Sequence, residues 1–149
     1  MDMIIAELHA RSRLLLVRAR VALFATIKLE GGTPPSLPND ALCHFESLLA
    51  AQNPTAAVLA EAETVRATAF VLKGEVRAAR MYYPTAGGFH RRLSRICEAT
   101  ALAIEAQARL NRAINGESLY QAGLSEARAF AEEARAHMDA ADQADQTLK

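Results

Sequence analysis

Between Phe89 and Ile114 the chain places Phe89, Leu93, Ile96, Thr100, Ala103, Gln107, Leu110 and Ile114 at alternating steps of four and three. Side chains at that spacing share one face of an α-helix, and a face this long has to be buried against other helices. The same rhythm runs through Val58, Ala62, Val65, Ala69, Leu72, Val76 and Ala79. It returns in Tyr120, Leu124, Ala127, Ala131, Ala134, Met138 and Ala141. No β-branched run alternates over the length of a strand. The pattern predicts an all-α fold: an antiparallel bundle of four long helices plus one short helix, with coiled-coil-like packing.

Helix punctuation sets the expected boundaries. A first helix is expected from about Ile4 to Leu29. The stretch Glu30 to Pro38, EGGTPPSLP, holds two glycines that end it and three prolines that stop it resuming. Its PxxP spacing lacks the flanking basic residue of a typical proline-rich ligand, so it reads as a linker. Ser36 or Asn39 is placed to cap a short second helix over about 40–52. Asn53-Pro54 opens the third, with Asn as cap and Pro at the first helical position. A loop at 84–88 precedes the fourth helix. Asn115-Gly116 stops it, and Ser118 with Gln121 has the form of a capping box for a fifth. The polar end, 143–149, is expected to fray.

At 149 residues the chain reads as a single domain, 1–149, able to bury a core without staples. About a fifth of it is alanine, the best helix former and one that lets helix backbones approach closely. Formal net charge is zero, which argues against non-specific nucleic-acid binding by the whole surface. Cys43 and Cys97 have no CxxC spacing and read as free buried thiols of a reducing compartment. No signal layout opens the chain, and Leu14 to Leu29 is broken by Arg18 and Arg20, so no transmembrane segment and a cytoplasmic location are expected.

Catalytic, metal and cofactor motifs are absent: no HxxxH, ExxH, CxxC, GxSxG, GxGxxG or Walker pattern occurs. Cys43, His44 and Glu46 point apart on a helix and do not converge. Glu133 and His137, one turn apart, read as a surface pair. His90 and Cys97 lie about 10 Å apart along one helix, too far to share a metal. No cofactor is expected, and enzyme activity less than a binding role.

Two features point to binding. The first predicted helix carries Leu14, Val17, Val21 and Phe24 in one stripe and Leu16, Leu23 and Ile27 beside it. That arc is wider than a surface helix needs. Leu16, Val17, Leu23, Phe24 and Ile27 are therefore the candidate oligomer or partner-helix face, unless the helix is central or lies as a basic amphipathic helix on a membrane surface. The second feature is the tip between the third and fourth helices. From Arg77 to Arg95 it holds five arginines and no acidic residue. Arg77, Arg80, Tyr82, Tyr83, His90, Arg91, Arg92 and Arg95 are the candidate anion- or partner-binding residues, beside the free N–H groups of a helix start. Glu132, Glu133, Asp139, Asp142 and Asp145 could answer these arginines in cis or from another subunit.

The function these features imply is that of a non-enzymatic assembly protein, such as an adaptor, chaperone or structural subunit. It would bind a protein partner or itself as a homo-oligomer. A nucleic-acid-associated subunit holding phosphates through Arg77–Arg95 is the alternative, and a small-ligand or enzymatic bundle the third.

Overall fold

The computed structural model describes residues 2–84 and 88–147. Four helices make up the fold, with no strand among the described residues: α1 (Asp2–Leu29), α2 (Asn39–Leu49), α3 (Pro54–Tyr82) and α4 (Phe89–Thr147). The region of the expected loop at 85–87 and the last two positions, 148–149, lie outside the described residues. The helix α4 is assigned through Thr147, across most of the stretch expected to fray.

The third segment folds as its spacing dictates. The side chain of Asn53 accepts from the Ala56 N–H, Pro54 opens the first turn, and Val58, Ala62, Val65, Ala69, Leu72, Val76 and Ala79 are all buried. At the end of α1, Gly31 takes φ 86°, and the N–H groups of Gly31 and Gly32 return to the carbonyls of Lys28 and Ile27. These two bonds are the Schellman pattern that satisfies a last helical turn. The short helix α2 starts at Asn39 with Pro38 at its cap position and no side-chain cap bond, so neither Ser36 nor Asn39 caps it as expected.

The buried stripe of α1 differs from the expected one. Leu8, Ser12, Leu15, Ala19, Ala22 and Thr26 are all buried, again at steps of four and three, whereas Leu14 is 60 % exposed. Sequence reasoning passed over this stripe because two of its members are hydroxyl residues and two are alanines. The hydroxyls are accommodated on their own helix: Ser12 donates to the His9 carbonyl at 2.9 Å and Thr26 to the Ala22 carbonyl at 2.9 Å. Thr100 does the same to Ile96 at 2.8 Å. Such back-bonding removes the penalty of an unmet buried hydroxyl.

The stretch from Leu15 to Thr26 is covered on most sides by α2, α3 and α4. Leu16 joins the larger core cluster, and Leu23 and Ile27 join a second one with Ala22, Ala62 and Ala106. Much of the expected partner face is therefore used within the chain, while Val17 and Phe24 stay half-buried.

The expected fourth and fifth helices form one element of 59 residues that breaks at Gly116, where φ is 79° and ψ is 174°. A straight helix of that length would span about 88 Å. Instead the chain folds back: a Cβ built on Gly123 would come within 2.7 Å of the Ala108 Cβ. We call 89–115 the first arm and 117–147 the second. Near the break, Gln121 Nε2 donates to Glu117 Oε1 at 3.1 Å and Arg112 pairs with Glu117 at 2.9 Å. The Arg112 and Gln121 side chains thus meet at the Glu117 carboxylate.

Cross-helix pairs give the relative order of the segments. His90 meets His137, and Ser94 donates to the Ala134 carbonyl at 2.7 Å, so the arms run past each other in opposite order. Arg11 with Glu75 and Arg18 with Glu61 (2.7 Å) give opposite order for α1 and α3. His9 with Arg95 (3.0 Å) and Glu30 with Arg109 (3.1 Å) give the same order for α1 and the first arm. The N-terminus of α1, the end of α3, the start of the first arm and the end of the second therefore meet at one end of the molecule.

Replacing Leu72, which is fully buried, by Ala should cost about 2–5 kcal/mol in denaturant unfolding. The two mid-helix glycines should respond oppositely to alanine. Gly74 has nothing within 4 Å of an added Cβ, so Gly74→Ala should stabilise by about 0.5–1 kcal/mol. Gly123→Ala meets Ala108 and should lower the unfolding midpoint despite its better helix propensity.

Candidate functional site at the arginine-rich end

The tip residues do not form one uniform cationic patch. Arg77 reaches Glu133 at 3.8 Å, and Arg91 pairs with Asp142 at 3.6 Å and with Asp145. Acids of the second arm thus answer these two in cis. Arg80 is exposed, and Tyr82 is 79 % exposed at the last turn of α3. Tyr83 is half-buried and packs against the core cluster, so it is not presented for stacking on a ligand.

Arg92 is the buried member, at 7 % exposure. Its guanidinium lies over the Phe89 ring, 5.8 Å from the centroid. It also occupies the space beside Gly88, where an added Cβ would come within 2.7 Å of Nη1. Gly88 has φ +89°, in the left-handed region that favours glycine. The neighbouring Gly87 lies outside the described residues.

Arg95 reaches across to α1, with Nη1 3.0 Å from His9 Nδ1. Burial lowers the affinity of Arg92 for its proton, with the Arg95 charge adding to the effect; for Arg95 burial again leads, followed by Arg13 and Arg91. Burial, then Arg95, Arg92 and Arg13, depress His9 below its ordinary value. An open cavity of about 450 Å³ is lined here by Ile5, Ala6, His9 and Arg92. Sequence reasoning missed the contribution of α1, His9 and Arg13, because it took the tip as a local hairpin. The heptad register of α1 against the first arm was the signal that would have included them.

A second cluster lies between the arms, beside this end. Cys97 of the first arm is fully buried, and its Sγ, a Glu133 carboxylate oxygen and a His137 ring nitrogen lie within 4.8 Å of one another. Glu133 and His137 face each other at 3.5 Å, and His137 Nδ1 is 3.4 Å from His90 Nδ1. Lys73 of α3 closes the group with 2.9 Å to Glu133. Along the sequence only Glu133 and His137, one turn apart, stood as a pair, while Cys97, His90 and Lys73 lie far from them in the chain. The fold-back at Gly116 brings them together.

Burial pushes the Cys97 thiol up to about 11, the nearby Lys73 opposing and Glu133 reinforcing the effect. Such a thiol is protonated at neutral pH and is a poor nucleophile. Burial works to raise the Glu133 carboxyl, but the hydrogen bond and charge of Lys73, with His137 behind them, outweigh it and hold it below its usual value. Burial, then the Arg80 charge and His137, depress His90.

His9 and His90 both bind protons less readily than the unfolded chain, whose value is near 6.5. Their contribution to stability is therefore complete above that value and is lost on acidification through it. The unfolding midpoint should fall between about pH 7 and about pH 5, and His90→Gln should flatten the fall in a thermal-melt series. Comparisons with protein-family models, with curated proteins and with solved structures found no match to this chain.

Proposed function

We propose that the chain is a non-enzymatic interaction module: an antiparallel helical bundle whose arginine-rich end docks an acidic protein segment. The paired orders of α1 with α3 and of the two arms of α4 support the antiparallel reading. One observation carries the binding reading. Exposed Met3, Ile4, Met81 and Tyr82 share an end of the bundle with Arg13, Arg80, Arg92, Arg95 and His9.

Large apolar side chains ringed by cations suit a partner helix that carries carboxylates beside an apolar face. Clustered arginines recognise carboxylates through paired N–H donors. Burial first, and then the neighbouring Arg13, Arg91, Arg92 and Arg95 charges, disfavour protonated side chains here, and an incoming carboxylate offsets both effects. The pairing of Arg77 and Arg91 with the second arm narrows the working cations to Arg13, Arg80 and Arg95.

The two free cysteines support a reducing, intracellular setting for this role. No helix among the described residues is long and apolar enough to cross a membrane.

The test uses an acidic amphipathic peptide with Glu and Leu at helical spacing, measured by fluorescence anisotropy at low and moderate salt. Arg80→Glu with Arg95→Glu should weaken binding at least tenfold, which is about 1.4 kcal/mol. Met81→Ser with Tyr82→Ser should weaken it independently of salt. Equal binding by the wild type and both double variants would overturn the proposal. So would a marked preference for single-stranded nucleic acid, with a steep salt slope.

A further inference from the structure

We propose that Cys97, Glu133 and His137 form a binding site for a single divalent transition-metal ion of the zinc class, which ties the two arms of α4 together. The site is independent of the docking role of the arginine-rich end. The Cys97 thiol gives up its proton to solvent as the ion binds. A thiolate, a carboxylate and an imidazole are the donor types such an ion takes, with Zn–S about 2.3 Å and Zn–N or Zn–O about 2.0–2.2 Å. In a tetrahedral shell those bonds place the donors about 3.3–3.7 Å apart. The three donor atoms already lie within 4.8 Å of one another. Glu133 and His137 are both only half-buried, so small side-chain rotations close the remaining gap without moving a helix.

Three further observations converge. Glu133 and His137 stand one turn apart on the second arm, and Cys97 comes from the facing arm, so the donors sit on rigid helices. His137 Nε2 is buried without a hydrogen-bond partner, 3.5 Å from Glu133 Oε1. At 3.5 Å the contact to Glu133 is too long for a good hydrogen bond, so the Nε2-unprotonated tautomer leaves a lone pair beside the other two donors. On the far side of the ring, His137 Nδ1 lies 3.4 Å from His90 Nδ1. With Nε2 on the metal, Nδ1–H donates to His90, the outer hydrogen bond that fixes the tautomer of a ligating histidine.

Lys73 and Arg77 work against the site. Both approach Glu133 Oε1, at 2.9 and 3.8 Å. His137 faces the same Oε1 at 3.5 Å, so the ion either displaces Lys73 from that oxygen or takes the second one after the carboxylate turns, at a cost in affinity from the neighbouring positive charge. Without a metal, the same residues form a Lys73–Glu133–His137–His90 polar chain, and the two arrangements predict different results.

The experiment titrates the full-length chain carrying Cys43→Ser, which removes the exposed thiol, with Co²⁺ alone and then with Zn²⁺. One equivalent of Co²⁺ should produce a thiolate-to-metal charge-transfer absorption, and Zn²⁺ should abolish it. Cys97→Ser should remove the band, and His137→Gln should weaken binding at least tenfold. Lys73→Met should tighten it by a similar factor. Should Cys97→Ser fail to fold, the half-buried His137 and Lys73 still give opposite shifts to measure. No charge-transfer band, a band surviving Cys97→Ser, or affinity unmoved by both His137→Gln and Lys73→Met would each overturn the site.

Discussion

Close approach of helix backbones through small side chains is the constraint on which the rest of the molecule rests. Ala19, Ala22 and Ala25 on α1, Ala62 and Ala69 on α3, and Ala99, Ala103 and Ala106 on the first arm are all essentially inaccessible to solvent. An alanine side chain gives little apolar area, so the stabilisation at these points comes from dispersion contacts between tightly packed helices. The few large residues, among them Leu15, Leu72, Leu93 and Ile96, fill the space between these near-contacts. Gly123 against Ala108 is the limit of the same arrangement, where even one methyl group has no room.

Tight packing also explains why hydroxyl residues are found in the core. Ser12, Thr26 and Thr100 return their hydrogen bonds to the preceding turn and ask no hydrogen bond of the neighbouring helix. Ser94 is different. It donates across to the Ala134 carbonyl and links the two arms. Charges follow a related logic at the periphery, where Arg11, Arg18, Arg66 and Lys73 each meet a carboxylate on another segment. Exposed pairs of this kind contribute little stability each, but they favour one register over its neighbours.

How much of this could be read from the chain depends on which residues carried the signal. On α3 the apolar rhythm is uninterrupted, and its seven seam positions are the seven buried ones. On α1 the rhythm was hidden, because Ser12 and Thr26 look polar until their bonds to the backbone are seen. Leu14 then looked like core when its neighbour Leu15 was. The arginine-rich tip was visible as composition, but the split between Arg77 and Arg91, paired with the second arm, and Arg92 and Arg95, turned toward α1, was not. That split depends on three-dimensional register. Cys97 beside Glu133 and His137 was the least legible feature, since Cys97 lies on the other arm and no spacing along the chain joins it to that pair.

Gly116 holds the reversal of α4 in a single residue, at φ 79° and ψ 174°, a backbone conformation open to glycine and closed to nearly every side chain. Its flanks are helical on both sides, so the alternative to the bend is not a loop but one unbroken rod. A methyl group at this position penalises the bent form and leaves the rod untouched. In a straight rod the second arm would no longer reach the first, and the seam that the two arms share would lie open. The hydrogen atom on this one α-carbon therefore governs whether the long helix closes on itself or reaches outward.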